Sequence, residues 1–154
     1  MKRNTVTLVA VLIAFFFLLL PVQGYAQRGT GWRGSGGWGM ASQYGRMYDV
    51  EFVETITGQV VKVERITPIR GMSYGVHLVV KTDSETISIH LGPAWYVENQ
   101  DIKIEPRDKV EIKGSRITLE GKPVIIAAEV RKGESVLKLR DEGGVPVWSG
   151  WRRR

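Results

Sequence analysis

The chain has only two histidines, and both fall in "GVHLVVKTDSETISIHLGPAWY", residues 75–96. A neutral imidazole binds a transition metal at about 2.0–2.1 Å, and it is the side chain whose ordinary pKa lies nearest neutrality. Either chemistry needs the two rings brought together. A two-residue turn at Asp83 and Ser84 pairs Thr82 with Glu85. Val80 then meets Ile87, Leu78 meets Ile89 and Val76 meets Leu91, three apolar pairs on one face. The opposite face pairs Lys81 with Thr86, Val79 with Ser88 and His77 with His90. A slip of one residue would turn one strand's apolar set to solvent, so one-sided burial fixes this register.

The expectation is therefore two imidazoles that are direct cross-strand neighbours on an outward face, with Cβ atoms about 4.5–5.5 Å apart. A metal would need a third ligand. Glu64, on the preceding apolar run, is the candidate, and Lys62 points to the same outer side. If Glu64 is the neighbour of His77, it completes a divalent-metal site or raises the imidazole pKa. If Lys62 takes that place, its charge opposes a cation. With neither, the histidines are a surface pair, or a contact that responds to pH.

Aromatic residues give a second set of candidates. Trp95 and Tyr96 follow Gly92 and Pro93 in "HLGPAWYVENQ". They read as a cap on the core, or as an aromatic platform for a ligand or partner. "GGVPVWSGWRRR" carries Trp148, Trp151 and three arginines. That tail suits an anionic surface, or stands as a solvated tail. Met40, Met47 and Met72 are too scattered to suggest a copper site. No nucleophile elbow, phosphate loop, dinucleotide fingerprint or zinc-protease helix is present. The expectation is a protein that is not an enzyme.

The elements that must position these residues are strands. "ETITGQVVKVERI" is apolar and β-branched, with Gly58 as the expected bulge or bend. "YGVHLVVKT" and "ETISIHL" alternate with period two. "DKVEIKGSRIT" alternates with Val110 and Ile112 on one side, and "KPVIIAAEVRKG" follows, with "SVLKLRDE" continuing it after a turn. Pro93 suits the first turn of a short helix running to about Asn99. The order of strands, with a helix between the third and fourth, predicts a mainly β domain: a five-stranded OB-like Greek-key barrel with one short helix.

Residues 1–26 read as a signal peptide, with Lys2 and Arg3, an apolar run from Leu8 to Leu20, and Gly24-Tyr25-Ala26 at its end. The apolar run is short for a spanning helix, which needs about 20 residues. Residues 27–50 are rich in glycine and read as a flexible segment. The barrel domain is expected over 51–141, and 142–154 form the basic aromatic tail. The 154 residues include no cysteine. An exported chain of this kind is expected in the periplasm or outside the cell, held by its apolar core without disulfides. The formal charge of +6 is not gathered on one strand face, so nucleic acid is an unfavoured partner.

With "GQVVKVERI", "GVHLVVKT" and "HLGPAWYVENQ" in view, the chain resembles the domain shared by the MamS/MamX magnetosome proteins over about Thr55 to Arg140. The resemblance implies a periplasmic OB-like module, without catalysis of its own, acting near membrane-bound iron or redox proteins. The chain departs from the MamX type in having no cysteine. It therefore has no CxxCH haem attachment motif, and any redox role belongs to a partner. The leading expectation is an exported binding module for a periplasmic protein partner or a metal- or redox-handling complex. The alternatives are a metal-binding or delivery protein using His77 and His90, and an OB domain for oligosaccharide or nucleic acid.

Overall fold

The computed structural model describes residues 35–149. The expected signal peptide, the start of the glycine-rich segment and Trp151 with its arginines lie outside the described residues.

The fold is mainly β. Among the described residues six strands form one sheet: β1 (Val53–Ile66), β2 (Gly75–Lys81), β3 (Thr86–Pro93), β4 (Lys109–Leu119), β5 (Lys122–Lys132) and β6 (Ser135–Lys138). A single helical turn, α1 (Ala94–Val97), lies between β3 and β4. The sheet order is β3-β2-β1-β4-β5-β6, and β3 also pairs with β5, so β1 to β5 close into a ring. That closing pairing is parallel and short, Ser88 to Val124 through His90 to Ile126. All other strand pairings are antiparallel.

β1 is long because it serves two neighbours. Its first half pairs with β4 and its second half with β2, with Gln59 shared by both. The irregularity falls at Val61, between Val60 and Lys62, and not at Gly58 as the sequence suggested. Gly58 does a different job. A Cβ there would lie 2.6 Å from both the Lys81 carbonyl and Val80 Cγ1, so the missing side chain lets β2 approach. Beyond the bulge, Val61 and Val63 are exposed.

The β2–β3 hairpin has the expected turn. Thr82 N–H donates to the Glu85 carbonyl at 2.8 Å, and Thr82 Oγ1 accepts from Glu85 N–H at 3.0 Å. His77 pairs with His90, Leu78 with Ile89 and Val80 with Ile87. The register shifts below His77, so Val76 meets Gly92 in place of the expected Leu91. Pro93 precedes α1 as its N-cap, and the helix is shorter than expected, ending at Val97. β4 and β5 are joined through Glu120 and Gly121, both at positive φ (50° and 76°), the backbone of a tight two-residue hairpin. β6 is a sixth strand beyond the five expected. It returns along β5 from Lys132–Ser135 to Glu129–Lys138.

Val60, Leu78, Val80, Ile89, Leu91, Ile112, Ile125, Val130 and Leu139 fill the interior. Each buried side chain of this size contributes about 1.5–3 kcal/mol relative to exposure. Residues 35–50 complete the core, which corrects the expectation of a flexible segment there. Trp38 is fully buried and Tyr44 nearly so. Trp38 Nε1 donates to the Ser73 carbonyl at 3.0 Å, and Asp49 N–H donates to Ser115 Oγ at 3.0 Å. Two glycines receive the indoles. A Cβ on Gly75 would stand 2.1 Å from Trp38 Cζ2, and one on Gly92 2.6 Å from Trp148 Cη2. Trp148 is also buried, so the expected surface tail begins inside the fold.

Candidate functional site

β1, β2 and β3 bring Glu64, His77 and His90 into one row, since Glu64 pairs with His77 and His77 with His90. The imidazole rings lie 6.1 Å apart, edge to face. The pairing is the expected one, but the exposure is not. His77 is 8 % exposed and His90 4 %, because residues 35–50 pass over this face. Tyr44 stacks on His90 with centroids 5.9 Å apart, and its hydroxyl shares a 2.9 Å hydrogen bond with His90 Nδ1.

Burial lowers the pKa of both imidazoles. It pulls the His90 pKa down to about 4, with His77 adding a smaller push in the same direction. Burial also lowers the His77 pKa; Glu64 opposes that and Lys62 reinforces it. Burial raises the Tyr44 pKa, Arg140 opposing it, so the phenol keeps its proton. Glu64 Oε2 lies 3.6 Å from His77 Nε2, and Glu64 Oε1 lies 3.8 Å from Lys62 Nζ. Of the two alternatives read from β1, the first holds: Glu64 is the neighbour of His77, while Lys62 pairs with Val79 and reaches the carboxylate instead. His90 Nδ1 is taken by Tyr44, and among the described residues no three His, Asp or Glu side chains are grouped to hold an ion.

The aromatic candidates separate. Tyr96 and Trp148 are buried, with rings 5.3 Å apart. Trp95 is half-buried against the core, near the reading of a cap. These three do not form an open platform.

A feature the sequence analysis missed is a cleft of about 320 Å³ between the end of β1 and the segment after α1. Its floor is apolar and includes Val63, Leu78, Val97, Ile102 and Ile104. Its rim is charged, with Glu64, Arg65, Glu98, Lys103 and Glu105. Arg65 grips Glu98 through two bonds, Nε to Oε1 at 2.7 Å and Nη2 to Oε2 at 2.6 Å. Lys103 Nζ donates to the Glu98 carbonyl at 2.7 Å. The available signal was Ile102 and Ile104 alternating with charges in "DIKIEPRD".

The C-terminal end holds another missed residue. Arg140 is 2 % exposed, and its guanidinium carbon sits 5.1 Å from the Tyr48 ring centre and 5.5 Å from that of Trp148. A buried cation costs several kcal/mol in lost hydration, and two aromatic faces offset part of that.

The model of the MamS/MamX magnetosome protein family matches residues 52–137 of the chain. That span takes in β1 to β5 and most of β6, and is more than half of the sequence. No curated protein matches.

Proposed function

The chain belongs to the MamS/MamX magnetosome protein family, and on that footing we propose that it is an exported, non-catalytic binding module in a magnetosome-associated assembly. The ring of β1 to β5, with α1 between β3 and β4 and a parallel β3–β5 closure, supports reading it as an OB-like barrel. The export-type segment at residues 1–26 supports a periplasmic setting. Among the described residues no helix is long and apolar enough to cross a membrane.

The observation that carries the binding role is the apolar cleft with its charged rim. Concave apolar sites with a few placed polar groups are where small ligands and side chains are held. The partner is a periplasmic protein that inserts an apolar side chain over Val63 and Ile102 and meets Arg65, Glu98 and Lys103 at the rim. The test is capture from periplasmic extract under gentle crosslinking, wild type against Val63→Glu. Val63 is exposed, so the variant leaves the core intact. A protein retained by wild type and lost by Val63→Glu supports the reading; an identical set of captured proteins from both rejects it.

A further inference from the structure

We propose that Arg140 forms the floor of a second site, one that binds a monoanionic carboxylate through the free edge of its guanidinium. A cleft of about 330 Å³ opens beside it, lined by Tyr48, Lys113, Glu129, Lys138 and Glu142 among others. It shares no residue with the apolar cleft.

The guanidinium's donors are only partly engaged. Nη1 donates to the Gly144 carbonyl at 3.0 Å. Nε is buried and has no hydrogen-bond partner among the described residues. Among the described residues no ion pair reaches Arg140, and its side-chain hydrogen bond is the one from Nη1. Nε and Nη2 lie on the same edge of the guanidinium plane. Together they are the planar fork that a carboxylate accepts with both oxygens. An arginine kept only for packing has no need of an idle fork, because buried donors are almost always satisfied.

The surroundings hold the group in place. Tyr48 and Trp148 cover its faces. A Cβ on Gly144 would lie 2.6 Å from Tyr48 Cδ1, so the glycine lets the phenol ring sit where it does. Gly144 is also the turn residue, at φ +83°, whose carbonyl holds Nη1. Asp141 is the nearest carboxylate in sequence, but its Oδ1 accepts from Gly143 and Val145 N–H at 3.0 and 2.9 Å. Glu129 accepts from Arg131 Nε at 2.9 Å.

Charge selects the ligand class. Apart from Arg140, Lys113 and Lys138 face Glu129, Asp141 and Glu142 around the cleft, which leaves the lining one charge negative. One negative charge on the fork is matched by Arg140; a second, as on phosphate, would face the acidic rim. Nε itself is shut off from solvent, and Lys138 and Glu142 are exposed charged side chains in the lining of the cleft.

The test is an NMR titration of the full chain labelled with ¹⁵N-arginine, following the Nε–H signal of Arg140. Acetate, an acetylated peptide amide with one aspartate, inorganic phosphate and chloride are added at constant ionic strength. Saturable movement with acetate and the peptide, with phosphate and chloride at least tenfold weaker, is the expected result. The ratio of the first two separates a small organic acid from an acidic protein side chain as the source. Glu142→Gln is expected to tighten acetate binding two- to threefold, and Lys138→Ala to weaken it similarly. Arg140→Lys assigns the signal where that variant folds, and the two rim variants decide the question where it does not. No movement, equal movement with phosphate or chloride, or indifference to both rim variants overturns the proposal.

Discussion

The indole N–H of Trp148 donates to the backbone carbonyl of Trp38 at 3.0 Å, across 110 positions of sequence. The two tryptophans sit on Gly92 and Gly75, which lie at the end of the β2–β3 hairpin. The segment before β1 and the segment after β6 are thereby joined over one end of the ring. Truncating either indole opens a cavity that its rigid neighbours cannot fill. Trp38→Ala and Trp148→Ala are each expected to lower the unfolding free energy by about 3–5 kcal/mol, read from denaturant melts.

The glycine seats give a converse prediction. An added methyl at Gly75 would meet Trp38 Cζ2 at 2.1 Å, and nothing flexible stands between them. Gly75→Ala is expected to destabilise by about 1–3 kcal/mol, the usual cost of overpacking. It should also shift the tryptophan fluorescence of the folded state. A variant with unchanged melt and spectrum would contradict this packing.

His90 should make stability depend on pH. Its folded pKa is about 4, against an ordinary 6.5. Between those values the unfolded chain binds more protons than the folded one, so stability falls as pH is lowered through this window. From pH 7 to pH 4.5 the loss is expected to be roughly 2 kcal/mol. Since carboxylates also begin to titrate there, the measurement is the difference from His90→Gln, which should lose that part of the slope.

Arg116 links three segments. Its Nε donates to Glu54 Oε1 at 2.8 Å, and Nη1 donates to Glu85 Oε2 at 3.3 Å. Glu85 opens the strand that returns from the hairpin turn, and its pKa is held below the ordinary value by hydrogen bonding to Arg116. Arg116→Gln is expected to cost about 1 kcal/mol at low salt and less at 1 M salt. The same variant should reduce the acid loss of stability, because a depressed carboxylate stabilises only above its folded pKa.

What the sequence made legible was local. The pairing of His77 with His90 followed from apolar residues at alternate positions on both sides of a short turn, where burial of one face tolerates no slip. The shift at Val76 was hidden because Gly92 has no side chain to signal which residue faces it. The position of Val61, and not Gly58, as the bulge was hidden because bulging is decided by the two neighbouring strands that β1 serves. Exposure of the histidines was misjudged for a non-local reason. "GSGGWGM" has the composition of a linker, yet Trp38 and Tyr44 find seats made by residues far along the chain. Trp148 read as part of a basic aromatic end for the same reason: the rings and the glycine that bury it come from other segments.

The parallel pairing of β3 with β5 joins strands that lie far apart in the chain, so it cannot close until β5 has emerged. As the chain emerges from its N-terminal end, β1, β2 and β3 can pair at once, because each follows its neighbour directly. The outer edges of that three-stranded sheet then stay bare, one waiting for β4 and the other for residues 124–126 of β5. Unpaired edges attract other strands, and incomplete sheets of this kind are the species that aggregate. The nascent chain is therefore most vulnerable between completion of Pro93 and the arrival of Ile126. For an exported chain, slow delivery across the membrane in that interval would lengthen the exposure, whereas a delay beyond Ile126 would not.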